Sequence, residues 1–256
     1  TPSSFTEKLL WLKLYDYASN ALVKKCADKY AVREYIKDNG FEDILVPLLG
    51  VYDSPGEIDF ESLPNQFALK WNFGCGYNII CTDRNGLDIH QTVQQLEKWG
   101  KIRYYRFNSE MQYKGVEQRI ICESFLPSDE ESGVIPDYKV YCFNGVPKAI
   151  FVMHDRGHDV KTEFFDVNWN LLENSKKYNG PSKATTKPEC LDYMIEVSKK
   201  ISSRFPFVRC DFYVVNGKLY FGEMTFTPAG GLYTSTTIID GKDMGDLLQL
   251  PYNKGR

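Results

Sequence analysis

Apolar residues recur at the spacing of a helix from Phe5 onward, through Leu9, Leu10, Leu12, Leu14, Tyr17, Ala18, Ala21 and Leu22, and a second helical stretch begins at Asp28, a residue able to cap it. The run 44–52 is apolar and carries Pro47 and Gly50, so it reads as a strand and turn leading into an acidic loop over 53–61. A strand at 67–71 enters a glycine-containing turn, residues 88–99 form an amphipathic helix, and 119–126 read as a buried strand ending at Pro127. The loop 127–136 is acidic and expected to be mobile. Two Asn-Gly pairs, Asn144-Gly145 and Asn216-Gly217, mark hairpins, with a helix around 188–203 between them. Helices intermixed with antiparallel hairpins predict an α+β architecture rather than a doubly wound parallel sheet.

The last hairpin carries the clearest chemistry. Its even positions Val208, Cys210, Phe212, Val214, Tyr220, Met224 and Phe226 are apolar or aromatic, while Arg209, Asp211, Glu223, Thr225 and Thr227 are odd. Whether the odd positions share a face depends on the loop. A two-residue turn at Asn216-Gly217 would put Asp211 and Glu223 on opposite faces, and a three-residue loop with a left-handed bulge at Gly217 would put them together. The bulged loop is expected, because the tighter turn would also split the apolar set. Two carboxylates on adjacent strands of one face suit a hard divalent cation such as Mg²⁺; the ordinary alternative is a solvated open face.

Lys70 ends the strand 67–71, and Asn72, Gly74, Gly76 and Asn78 follow in a short loop whose glycines let backbone amides approach an anion. The spacing matches neither a P-loop nor a full dinucleotide-binding fingerprint. His154 and His158 are four apart, but Gly157 argues against the helix a metal pair would need, so this stretch reads as a substrate-side loop with Arg156 on an anionic group.

Composition narrows the partners. Thirty-one basic against 34 acidic residues, and a pI near 5.7, lack the basic excess of nucleic-acid binders. No apolar run is long enough to span a bilayer and residues 1–8 lack a signal-peptide layout, so a cytosolic location is expected. The seven cysteines include no C-x-x-C pair and read as reduced and mainly structural.

Taken in order, Asp28-Lys29-Tyr-Ala-Val-Arg33, Leu69-Lys70-x-Asn72-x-Gly74-x-Gly76-x-Asn78, Cys122-Glu123-Ser124-Phe125-Leu126, Asp137-Tyr-Lys139-Val and Arg209-x-Asp211 followed by Gly222-Glu223-x-Thr225 resemble an ATP-grasp enzyme, nearest to its TupA-like branch of teichuronopeptide and polysaccharide biosynthesis. The resemblance covers about residues 26–250. It implies two lobes with antiparallel sheets enclosing a nucleotide cleft: an N-terminal helical segment over 1–57, a smaller lobe over 58–126 and a larger lobe over 127–256. It implies that Lys29 and Lys70 contact ATP phosphates, that the loop from Asn72 to Asn78 covers the triphosphate, and that Glu123, Ser124, Phe125 and Leu126 form the hinge that reads adenine. Lys139 or Arg209 would stabilise charge in flight, and Asp211 with Glu223 would hold Mg²⁺. Thr225 falls where many ATP-grasp enzymes place an asparagine metal ligand, and a hydroxyl is the weaker ligand. Phe73 and Cys75 replace more polar residues of the glycine loop, which removes side-chain donors and leaves the amides.

The activity so implied is carboxylate–amine ligation. A carboxylate is a poor electrophile, so ATP first converts it to an acyl phosphate, which the amine then attacks. A uronic acid or amino acid is the expected carboxylate and an amino acid the expected amine. A glycosyltransferase of the same pathway, a nucleotide-binding regulatory module without turnover and an ATP-grasp kinase are the rivals. The N-terminal region is short for this family, so substrate recognition is expected from a partner subunit, a second copy, or the loops near Arg156 and Gly230-Gly231.

Overall fold

The computed structural model describes residues 1–107, 109–128, 133–154, 160–172, 185–232 and 238–251. Helix α1 (Phe5–Leu12) starts at a capping box: the Ser4 hydroxyl accepts from the Glu7 amide and the Glu7 carboxylate accepts from the Ser3 and Ser4 amides. The helix runs on as a π turn, Lys13–Tyr17, then α2 (Ala21–Ala27) and α3 (Val32–Asp38) follow. Asp28 caps the turn over 29–31 that leads into α3, its Oδ1 accepting from the amides of Tyr30 at 2.8 Å and Ala31 at 3.2 Å, while the helix itself starts after Ala31 with no side-chain cap.

Two antiparallel sheets organise the rest. The smaller has the order β1-β4-β2-β3, formed by β1 (Leu48–Tyr52), β2 (Phe67–Trp71), β3 (Asn78–Cys81) and β4 (Ile120–Ser124). Alternation explains its two faces. Phe67, Leu69 and Trp71 with Ile120 and Cys122 form a core with Leu96 of helix α4 (Ile89–Gly100), whose carbonyl accepts from the Trp71 indole. Lys70, Asn78 and Glu123 fall on the opposite side.

The larger sheet has the order β7-β6-β5-β8-β9, from β5 (Asp137–Phe143), β6 (Val146–His154), β7 (Lys161–Asp166), β8 (Phe207–Val215) and β9 (Lys218–Thr225). Its even-numbered residues on β5 and β8, such as Val140, Cys142, Val208 and Cys210, share a core with α5 (Leu191–Ser202), which buries Leu191, Met194, Val197 and Ile201 at helical spacing. The odd-numbered residues Lys139 and Asp211 take the other face.

The register corrects the expected hairpin loop. Val215 pairs with Lys218, and Asn216 and Gly217 both have positive φ, 50° and 73°, so the turn is the two-residue kind. The extra residue lies further along, where Phe212 pairs with Phe221 but Asp211 pairs with Glu223, leaving Gly222 as a bulge. Asp211 and Glu223 therefore share a face, as expected, for a different reason. The apolar set is split as the tight turn requires: near the tip Leu219 and Phe221 are buried instead of Tyr220. A Cβ at Gly222 would come within 3.0 Å of the Asp211 carbonyl, which accounts for glycine there. Four residues of the expected mobile loop, 129–132, lie outside the described residues.

Candidate functional site

The polar faces of the two sheets line one cleft of about 420 Å³. Lys29, Arg33, Lys70 and Glu123 come from one side, and Asp137, Lys139, Asp211 and Glu223 from the other, with Gly74, Cys75 and Gly76 at the margin. Each charged group is placed by neighbours that the local sequence supplies. Lys29 follows the capping Asp28, and its backbone amide donates to the Asn72 carbonyl at 2.9 Å, which fixes it beside the glycine loop. Its ammonium donates to the Gly74 carbonyl and lies 3.3 Å from the Glu223 carboxylate. Glu123 clamps two cations at once, Arg33 at 2.9 Å and Lys70 at 2.7 Å.

Across the cleft, β5, β8 and β9 set Lys139, Asp211 and Glu223 in one row and Tyr141, Arg209 and Thr225 in the next. Asp211 accepts a two-pronged bond from Arg209, at 2.7 and 2.6 Å, and a third from Lys139 at 3.1 Å; Lys139 also lies 3.3 Å from Asp137. Thr225 accepts from Arg209 and donates to Glu223, both at 3.2 Å. Burial on its own would push the Glu223 carboxyl up, but Lys29, Arg209 and Lys139 bring it down to about 2. Burial likewise works against the Arg209 charge, and the Asp211 carboxylate more than restores it, holding the guanidinium above its ordinary range.

A second chamber of about 340 Å³ adjoins the cleft, and Lys70, Asn78, Asp137 and Tyr213 line both. Its other walls include Val46, Ala68, Ile80, Ser124, Phe125 and Leu126. A charged compartment opening into an apolar one matches a ligand with a polyanionic end and a flat apolar end. Asp211 and Glu223, cross-strand neighbours on one face, are hard oxygen donors of the kind Mg²⁺ takes together with phosphate oxygens and water.

Not every expected site residue reaches the cleft. Asn72 is fully buried and its side chain ties other elements together: it donates to Asp28 Oδ2 and to the Glu117 carbonyl, each at 2.9 Å, and accepts from the Arg119 amide. It shapes the loop and places Lys29 through Asp28, and its amide does not face a phosphate. Arg209 and Thr225 sit one row away from the cleft wall. Glu123 turns its side chain to Arg33 and Lys70, with only the following residues, Ser124 to Leu126, lining the apolar chamber. Arg156 and His158 lie outside the described residues. The sequence reading assigned no role to Arg33 or Asp137; Asp137 shares a strand face with Lys139 two residues on, and that alternation was the available signal.

A family model described as TupA-like ATPgrasp matches residues 7–249. Among solved structures, an L-amino acid ligase from Bacillus licheniformis aligns with a TM-score of 0.52 at 13% identity, over 79% of this chain and 43% of that one. D-alanine--D-alanine ligase from Bacillus anthracis aligns at 0.49 and 15% identity, over 79% and 57%. The ATP-grasp ligase PsnB, solved with a phosphomimetic precursor variant, Mg and ADP, aligns at 0.47 and 10% identity, over 87% and 58%. The chain thus spans about half the length of the structures it matches. No curated protein shows significant similarity to the sequence. Among the described residues no helix is long and apolar enough to cross a membrane.

Proposed function

The chain belongs to the TupA-like ATP-grasp family, and from that premise we propose that it is an ATP-dependent carboxylate–amine ligase that forms an amide through an acyl phosphate. One observation carries the reading: Lys29 and Lys70 meet Asp211 and Glu223 in a single cleft that opens into an apolar chamber beside Ser124 to Leu126. The chamber takes the adenine and the charged cleft the triphosphate. Lys70, steadied by Glu123, and Lys29 bind phosphate oxygens, and the amides around Gly74 and Gly76 cover them. Asp211 and Glu223 would hold Mg²⁺, which would supply charge neutralisation on the phosphates. Lys139, which lines the cleft in the same row as Asp211 and Glu223, stabilises negative charge as the phosphoryl group moves to the substrate carboxylate. Arg209 acts through Asp211, fixing its orientation. The loop shields the acyl phosphate from water until the amine attacks.

The expected carboxylate is a uronic acid or an amino acid and the expected amine an amino acid, in cell-surface polysaccharide synthesis. A cytosolic setting with free thiols, and a partner subunit or second copy completing the acceptor site, belong to the same proposal. The test is phosphate release from ATP in the presence of paired carboxylates and amines, with hydroxylamine to trap the acyl phosphate. Release that needs both substrates and gives a hydroxamate supports ligation. Phosphorylated product without any amine requirement would identify a kinase, and consumption of a UDP-sugar without ATP a glycosyltransferase.

A further inference from the structure

The segment between α4 and β4 has no regular periodicity, yet it contains a buried polar cluster that the reaction scheme above leaves unused. Glu110 is 6% exposed, Gln112 1% and Thr227 2%. The Thr227 hydroxyl donates to Glu110 Oε1 at 2.5 Å, and the Gln112 amide donates to Thr227 at 2.9 Å and to Glu110 Oε1 at 3.4 Å. Gln112 Oε1 has no hydrogen-bond partner among the described residues. Burying a carboxylate and an unmatched amide oxygen is costly, and apolar side chains would fill the same space without that cost. Packing alone therefore does not account for the cluster.

Its two ends do. At one end the Tyr104 ring lies directly against Gly74, so close that a Cβ there would sit 2.7 Å from the ring, and the Tyr104 hydroxyl is 3.5 Å from the Cys75 thiol. At the other end Thr227 stands two residues beyond the strand that carries Glu223 and Thr225. Between the two ends the Glu110 amide donates to the Phe107 carbonyl at 3.3 Å and the Phe107 amide to the Tyr104 carbonyl at 2.9 Å, so the chain Cys75, Tyr104, Glu110, Thr227 joins the glycine loop of the small lobe to the carboxylate strand of the large one.

We propose that Glu110 is a positioning residue, which through Tyr104 sets the height of the glycine loop over the triphosphate relative to the metal-binding carboxylates. The inference rests on the ATP-binding reading and goes beyond it by naming what holds the loop. Glu110 accepts from both Thr227 and Gln112, so an amide in its place can turn a donor toward donors, and the strut loosens while the volume is kept.

Cys75 reports on the loop directly, because it is exposed and lies between the two glycines. The experiment is alkylation of Cys75 by iodoacetamide, followed by peptide mass spectrometry, with and without Mg·ATP, alongside calorimetric ATP binding and steady-state kinetics. In the wild type saturating ATP should slow alkylation about tenfold or more, as expected when the covered state dominates. In Glu110→Gln and in Tyr104→Phe, which removes a single oxygen, protection should fall below about twofold and the KM for ATP should rise roughly tenfold, with melting temperature little changed in Tyr104→Phe. Wild-type protection and KM in both variants would overturn the strut. So would a wild-type Cys75 that stays reactive while calorimetry shows ATP bound. An absence of ATP binding in calorimetry would instead remove the nucleotide reading itself.

Discussion

Glu223→Gln separates two roles that fall on one carboxylate, the ion pair with Lys29 and the proposed hold on Mg²⁺. The Glu223 carboxylate is 3.3 Å from the Lys29 ammonium, with side chains 31% and 17% exposed. At an effective dielectric of about 20, that attraction is about 5 kcal/mol gross. Partial desolvation of both ions and screening by solvent reduce the net to about 1–2 kcal/mol. A nucleotide that recruits Lys29 must break this pair, and without a metal its phosphates are also repelled by the carboxylate. The amide removes both obstacles. Binding of ADP in EDTA, measured by calorimetry, should therefore tighten about 5- to 30-fold in the variant, the ratio corresponding to 1–2 kcal/mol. With Mg²⁺ present the order should reverse, and the metal's stimulation of nucleotide binding should be largely lost. If Glu223→Gln bound metal-free ADP no better than the wild type and kept its full response to Mg²⁺, Lys29 and Glu223 would not belong to one nucleotide site.

Three further outcomes follow from the same geometry. Asn72→Ala leaves Asp28 Oδ2, the Glu117 carbonyl and the Arg119 amide without their buried partner, and should lower stability by about 2–4 kcal/mol in urea denaturation, more than its effect on any direct phosphate contact would suggest. Gly74→Ala places a side chain at φ +63° and into the Tyr104 ring, and should raise the KM for ATP by roughly tenfold or more with the fold intact by circular dichroism. The Glu223 carboxyl is depressed from 4.5 to about 2 in the folded state, so its contribution is present above the unfolded value and lost as pH falls through the folded one; the stability difference between wild type and Glu223→Gln should shrink between about pH 5 and pH 2, and a difference that grew on acidification would contradict the ion pairs assigned to it.

Strand alternation made much of the site legible. The odd positions Arg209, Asp211, Glu223 and Thr225 could be read from the sequence as a polar face, because a side-chain period of two leaves little freedom once one face is apolar. The bulge was harder. Gly222 and Gly217 are both glycines able to absorb an extra residue, and the choice between them rests on the close approach of Gly222 to the Asp211 carbonyl, a contact between strands that no local pattern encodes. Asn72 was misread for a related reason. A polar residue beside two glycines looks like a phosphate ligand, whereas its actual partners, Asp28 and Glu117, lie 44 and 45 residues away in the chain. Glu110 and Tyr104 escaped notice altogether, since the segment that carries them has neither helical nor strand periodicity.

The charges of the cleft explain why it should favour a metal-bound nucleotide. Arg33 and Lys70 face Glu123, Lys29 faces Glu223, and Lys139 with Arg209 faces Asp211 and Asp137, so five cations meet four carboxylates. The side chains of the site are thus nearly balanced in charge, which spares the protein the cost of holding like charges together. A bare triphosphate brings far more negative charge than one surplus cation can balance, whereas the same triphosphate carrying Mg²⁺ is much closer to balance. On the proposed reading, binding would be an exchange, in which lysines leave carboxylates for phosphates and Asp211 and Glu223 would be freed to hold the cation. An exchange of this kind changes the partners of each charge more than the number of charges buried. Its affinity for Mg·ATP should accordingly fall less steeply with added salt than its affinity for metal-free ATP, and titrations of both at two or three ionic strengths would show whether it does.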